Sequence, residues 1–202
     1  MKPLQHNRHR KGFTLIEIIL AVGIFSVVGV GLTQGVHISQ TTHQSVSTES
    51  NSNRKIRDGI GLLRKELKSC RETSIVVSQE RNGNDQLVFQ VPVESIFGIG
   101  WGAYDRYLGS TSNEQNRVNW KICYVVQNNA QGIPCLLRQI LDGGGALQRE
   151  VQIVSNVLVN GHADAPGFTV SATGDVWEVT LKTLTGDGQS ARTETFQVQT
   201  RN

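Results

Sequence analysis

Much of the chemistry that marks an enzyme is missing from this 202-residue chain. It has three cysteines and no C-x-x-C pair, and His162 is the one histidine after residue 72, so a zinc site has no ligand set to build from. No G-x-x-x-x-G-K-[ST] string occurs, and no G-x-G-x-x-G opens a βα unit, which removes the common phosphate cradles. H-E-x-x-H, G-x-S-x-G and EF-hand strings are absent too. Asp142, Asp175 and Asp187 stand in glycine-rich turns and read as turn residues rather than calcium ligands. The expectation is a non-enzymatic protein with no cofactor and no metal.

Acidic residues are missing from one stretch in particular. Before Glu17 there is no Asp or Glu, while Lys2, Arg8, Arg10 and Lys11 are basic and His6 and His9 stand beside them. The net charge is +3, and without residues 1–12 the side chains sum to −1. The basic balance therefore belongs to the leader, and the remainder lacks the bulk charge expected of a nucleic-acid binder. The cluster Arg54, Lys55, Arg57, Arg64, Lys65 and Lys68 reads as the solvated face of a helix.

An apolar run comes directly after the leader. From Phe13 to Leu32, 20 residues, Glu17 is the one ionisable side chain. A helix needs about 20 residues to span the hydrocarbon core. The basic flank predicts a cytoplasmic N-terminus and an exported C-terminal bulk. A secretory signal peptide has a shorter apolar core and a small-residue cleavage site, and no A-x-A-like site ends this run. An isolated charge inside a membrane helix costs roughly 2.5–3.5 kcal/mol, so Glu17 calls for a partner within the apolar phase.

The string Gly12-Phe13-Thr14-Leu15-Ile16-Glu17, continued by Ile18-Ile19-Leu20-Ala21-Val22, resembles the class III leader of type IV prepilins and type II secretion pseudopilins. The resemblance covers about the first 25–30 residues. It implies cleavage after Gly12 by a membrane aspartyl prepilin peptidase and N-methylation of the new terminus at Phe13. It also assigns Glu17 to assembly, where its carboxylate neutralises the freed ammonium of a neighbouring subunit. Physical chemistry agrees: glycine lets a protease approach the backbone closely, and pairing offsets the desolvation of both charges.

The resemblance implies a pilin-like α+β fold, in which a long N-terminal helix packs on an antiparallel β-sheet head. The expected segments are a cleaved leader 1–12, a transmembrane helix 13–36, an amphipathic continuation 37–72 and a β-rich head 73–202. Ile56, Ile60, Leu63 and Leu67 fall on one helical face, in register with Val46 and Asn53. Arg54 and Asp58 are spaced to pair weakly. Ser39–Asn53 is rich in short polar residues and reads equally as a hinge or as solvated helix.

Beyond Glu72, strands are expected at Ile75–Ser78, Gln86–Val93, Asn119–Gln127, Pro134–Leu141, Arg149–Leu158, Phe168–Ala172, Val176–Leu184 and Ala191–Gln199, separated by turn residues. The longest insertion, Ser95–Asn116, carries Phe97, Trp101, Tyr104 and Tyr107 among glycines and reads either as folded onto the sheet edge or as a contact surface. Cys123 and Cys135 flank the turn of one expected hairpin and form the first choice for a disulfide, with Cys70 to either as the second.

Arg57-Asp58-Gly59-Ile60-Gly61-Leu62-Leu63-Arg64-Lys65-Glu66-Leu67 is similar to the post-anchor helix of W-type minor pilins and J-type pseudopilins. Val118-Asn119-Trp120-Lys121-Ile122-Cys123-Tyr124-Val125, with Leu136-Leu137-Arg138, is similar to their central hairpin. The presence of Glu17 differs from the K-type pseudopilin, which lacks that acid. The resulting expectation is a minor pilin or pseudopilin that helps initiate or cap a type IV pilus-type filament. Its partners would be prepilin peptidase, other minor pilins or pseudopilins, the major subunit and the bacterial inner membrane. A type II secretion tip subunit, or a membrane-anchored binding or adhesion module, is the alternative.

Overall fold

The computed structural model describes residues 14–104, 116–185 and 191–200. Helix α1 (Leu15–Ser69) comes first, and a short 3-10 turn (Glu72–Ser74) succeeds it. The strands are β1 (Val76–Gln79), β2 (Asp85–Phe89), β3 (Val91–Ser95), β4 (Gly98–Tyr104), β5 (Asn116–Val118), β6 (Lys121–Asn128), β7 (Pro134–Leu141), β8 (Leu147–Ser155), β9 (Phe168–Thr173), β10 (Val176–Leu184) and β11 (Ala191–Gln199). The chain groups into two compact units, Met1–Ser47 and Thr48–Asn202, and α1 contributes to both.

In the first unit α1 is apolar from Leu15 to Gln34, 20 residues of mean hydropathy 2.5. Its large side chains, Leu15 to Leu32, are exposed. Two hydroxyl side chains within the run turn back on the helix. Ser26 Oγ donates to the Val22 carbonyl at 2.8 Å, and Thr33 Oγ1 lies 3.1 Å from the Gly29 carbonyl and 2.9 Å from that of Val30. Such back-bonding leaves neither hydroxyl unsatisfied in a hydrocarbon phase. The backbone stays α-helical through the polar stretch Ser39–Asn53. Val46 lies outside the described side chains.

In the second unit α1 is amphipathic. Ile56, Leu63 and Leu67 are buried and Ile60 is half-buried, while Arg54, Lys55, Arg57, Arg64, Lys65 and Lys68 face solvent. Arg54 and Asp58 approach to 3.9 Å, both exposed, so their contribution is small. The two glycines of this stretch differ. A Cβ on Gly59 would run into Ile153 of β8, whereas Gly61 looks onto open space. Gly59 therefore sets how closely helix and strand approach.

The buried face of α1 packs on a five-stranded antiparallel sheet of order β1-β2-β6-β7-β8. Alternation divides the central strands between two clusters. Ile122, Tyr124, Val126, Leu136 and Ile140 join the helix-side core, and Cys123, Val125, Cys135 and Leu137 form a smaller cluster on the other face. Two further antiparallel sheets, β11-β10-β9 and β3-β4-β5, complete the head. The α+β expectation holds, with three sheets where one was expected.

The expected strand Gln86–Val93 is two strands in two sheets. The break falls at Gln90, whose amide donates to Ser74 Oγ at 3.2 Å and whose side chain donates to the Trp120 carbonyl at 3.1 Å. Pro92 lacks an amide proton and sits on β3, an edge strand, where that loss is tolerated. The expected insertion Ser95–Asn116 is partly strand, since β4 and β5 pair there. Tyr107 lies outside the described residues.

The turn before β2 anchors a distant loop. Asn84 is fully buried, and its Oδ1 accepts from the amides of Gly167 (2.8 Å) and Phe168 (2.6 Å). Its Nδ2 donates to the Leu158 carbonyl at 3.0 Å. Asp85 accepts from the Val170 amide at 2.7 Å, which ties β9 to the same corner.

Candidate functional site at the start of the apolar helix

Thr14 precedes the first helical residue, and Glu17 is the third residue of α1. This is a T-x-x-E capping box. The Thr14 amide donates to Glu17 Oε2 at 2.9 Å, and Thr14 Oγ1 donates to the same oxygen at 3.0 Å. In return, the Glu17 amide faces Thr14 Oγ1 at 3.4 Å. The box thereby engages the Thr14 amide, and the Glu17 amide, which also donates to the Thr14 carbonyl at 3.1 Å, gains the hydroxyl as a second acceptor. A carboxylate at the positive end of the helix dipole is also favoured.

Hydropathy alone gives Glu17 an intermolecular partner and passes over this local one. The signal is nonetheless in the sequence, since [ST]-x-x-[DE] before an apolar run is an N-terminus signature. Around the box the helix offers only apolar side chains: Leu15, Ile16, Ile18, Ile19 and Leu20 are all exposed. Among the described residues the hydrogen-bond partners of the Glu17 carboxylate are the amide and hydroxyl of Thr14. Gly12 and Phe13, the expected cleavage and methylation residues, lie outside the described residues.

The expected Cys123–Cys135 disulfide is not formed, and all three cysteines are free thiols. The β6–β7 register sets Cys123 opposite Gln139 and Cys135 opposite Gln127. The two thiols are thus four positions out of step, roughly 14 Å at about 3.4 Å per residue. A disulfide needs Cα atoms within about 7 Å. Cys70 is no substitute, because it belongs to the helix-side core and the other two to the opposite face. Burial pushes the Cys70 thiol up to about 12 and that of Cys123 to about 11, and it raises Cys135 as well. These are inert, protonated thiols.

The head also holds a buried charge cluster that sequence spacing does not reveal. Glu66 on α1 and Arg138 on β7 are each 1% exposed. Arg138 Nη2 donates to Glu66 Oε1 at 2.8 Å, and its Nε lies 3.1 and 3.2 Å from the two carboxylate oxygens. Tyr124 donates its hydroxyl to Glu66 Oε2 at 2.7 Å, and Arg138 Nη2 also donates to the Tyr104 carbonyl at 3.1 Å. Burial, then the Glu66 carboxylate, holds the Tyr124 phenol well above its ordinary value. The cluster fastens helix to sheet.

Asp142 takes three hydrogen bonds within its own turn and its neighbouring strand, from the amides of Gly144 and Ala146 and from Gln148, each at 2.9 Å. The Ala146 amide foremost, with those partners, keeps its carboxyl below the usual range. Among the described residues no group of three or more His, Cys, Asp or Glu is arranged to hold a metal ion. Asp187 lies outside them.

The family model of the prokaryotic N-terminal methylation motif matches residues 7–33. The chain carries a type IV pilin-like leader. The matched segment contains the Gly12-Phe13 junction, the Thr14–Glu17 box and most of the apolar span. It supports a precursor of the type IV pilin or pseudopilin kind, whose leader implies processing by prepilin peptidase and assembly with other pilins. The apolar helix fits a single-pass inner-membrane anchor. No curated protein and no solved structure matches the chain.

Proposed function

We propose that this chain is a minor pilin or pseudopilin, a structural subunit that helps initiate or cap a type IV pilus-type filament. The observation that carries this reading is an exposed carboxylate, Glu17, held at the mouth of an apolar span inside a methylation-type leader. Cleavage after Gly12 creates an ammonium at Phe13, next to Thr14. A methylated ammonium from a neighbouring subunit and Glu17 neutralise each other in the apolar phase, where either charge alone is costly. The W-type and J-type similarities of the post-anchor helix and the central hairpin support a place at the filament tip. On this reading the N-terminus is cytoplasmic, the head extracytoplasmic, and the protein catalyses nothing.

Mass spectrometry of the membrane or filament fraction tests the proposal. The assembled chain is expected to begin at N-methylated Phe13. Gly12→Val is expected to block processing, because a β-branched residue stiffens and crowds the scissile site. Assembled material that starts at Met1 would overturn the reading. A second reading, a type II secretion tip subunit, rests on the same J-type similarity and predicts the same terminus. Loss of secretion on deleting the chain, with piliation intact, would favour it.

A further inference from the structure

We propose that the β3–β4 hairpin tip is a docking knob for another protein subunit, one that offers an apolar pocket with a basic rim. The inference rests on the filament reading for the identity of that partner. The hairpin closes at the Ser95–Gly98 pair, leaving Ile96 and Phe97 as its two loop residues. Such loops ordinarily carry Gly, Asn or Asp. Here Ile96 is 91% exposed, Phe97 94%, and Ile99 beside them 79%.

The tip is ordered by its own polar contacts. Ser95 Oγ donates to the Gly98 carbonyl at 2.8 Å and accepts from the Phe97 amide at 3.2 Å. Gly98, at φ +105°, takes the left-handed conformation the turn requires. Three large apolar side chains therefore project from a defined turn and contribute nothing to the core, which makes them a contact patch rather than a packing element.

Charge narrows the partner. From Asp85 to Tyr104 there is no Lys, Arg or His, and Glu94 lies directly across the hairpin from Ile99. Interfacial membrane-binding segments pair apolar residues with basic ones, so this tip does not suit an anionic lipid surface. A symmetric tip-to-tip contact between two copies would bring like Glu94 charges together. A convex aromatic anchor beside a carboxylate instead suits a concave apolar site on a different subunit with Lys or Arg at its edge.

The full-length chain, in cells that assemble the filament, is given a photoreactive phenylalanine at Phe97 in one strain and at Phe25 of the anchor in another. Adducts are identified by mass spectrometry. The expected result is a Phe97 adduct with a different filament subunit. Ile96→Ser should cut its yield roughly tenfold or more, and Glu94→Lys several-fold. Tryptophan fluorescence melting of both variants is expected to match the parent, separating lost docking from lost fold. If Phe25 captures subunits while Phe97 captures lipid, its own copies or nothing, the knob is refuted and the filament reading stands. An adduct that both variants leave undiminished refutes it equally. Capture of no subunit at either position refutes both.

Discussion

Replacing Glu66 with alanine strands Arg138 in the head. The guanidinium loses three contacts of 2.8–3.2 Å, and the Tyr124 hydroxyl loses its acceptor at 2.7 Å, at positions where neither charged partner is more than 1% exposed. Removing one member of a buried pair costs about 3–5 kcal/mol. For a domain of this size each kcal/mol moves the midpoint by about 2–4 °C, so Glu66→Ala should melt roughly 6–20 °C lower. The assay is thermal unfolding of the full chain in detergent, monitored by tryptophan fluorescence. Trp101, Trp120 and Trp177 all lie in the head, so the signal is blind to the anchor. The double variant Glu66→Met with Arg138→Met removes both charges and is expected to recover most of the loss, because an apolar replacement of a buried pair is often neutral or better. A single variant that melts within about 3 °C of the parent, or a double variant as unstable as the single, would refute the claim that the penalty is an uncompensated buried charge.

Glu17→Ala should leave processing intact and reduce incorporation into the filament, because Gly12 and the leader are untouched while a neighbour's ammonium loses its counter-charge; failed processing would move Glu17 to peptidase recognition instead. Asn84→Ala should destabilise the head by about 1–3 kcal/mol in urea titration, since the buried Phe168 amide loses its acceptor while the Gly167 amide and the Leu158 carbonyl keep their 3.1 Å bond to each other. The raised thiols and phenol predict alkaline sensitivity. Their folded values exceed the unfolded ones, so their contribution is complete below about pH 9 and is lost as pH rises through about 11 for Cys123 and about 12 for Cys70. Melting temperature against pH, taken from neutral into the alkaline range, checks that sign, and alkylation at mildly alkaline pH should label the cysteines only after unfolding.

The sequence is legible where local pattern and tertiary role coincide. β10 and β11 keep their expected bounds because apolar and polar residues alternate between glycine turns. The helical stripe is visible because Ile56, Leu63 and Leu67 repeat at helical spacing. Features that depend on distance or register are hidden. The break at Gln90 is fixed by Ser74 and Trp120, 16 and 30 positions away. Glu66 meets Arg138 across 72 positions, although a carboxylate between Leu63 and Leu67 on the buried face is a hint. The cysteine pairing fails because neighbouring strands need not align the residues that flank their turn. Asn129 Oδ1 accepts from the amides of Gln131 and Ile133, and the loop it orders sets the offset. In the apolar span, hydropathy draws attention to Glu17 as a lone charge and away from Thr14, its capping partner.

The Asn84 corner also fixes a sequence of events. Its partners lie 74 to 84 positions further along the chain, and Asn53 of α1 bonds to Arg192, 139 positions later. A nascent polypeptide that has delivered the helix and every strand through β8 still has an open polar corner and an unclosed last sheet. Contacts this distant must wait for the C-terminal part of the chain, and they slow the final collapse. The head therefore cannot finish piecemeal behind the ribosome. It remains an unfinished chain until β10 and β11 emerge to complete the last sheet.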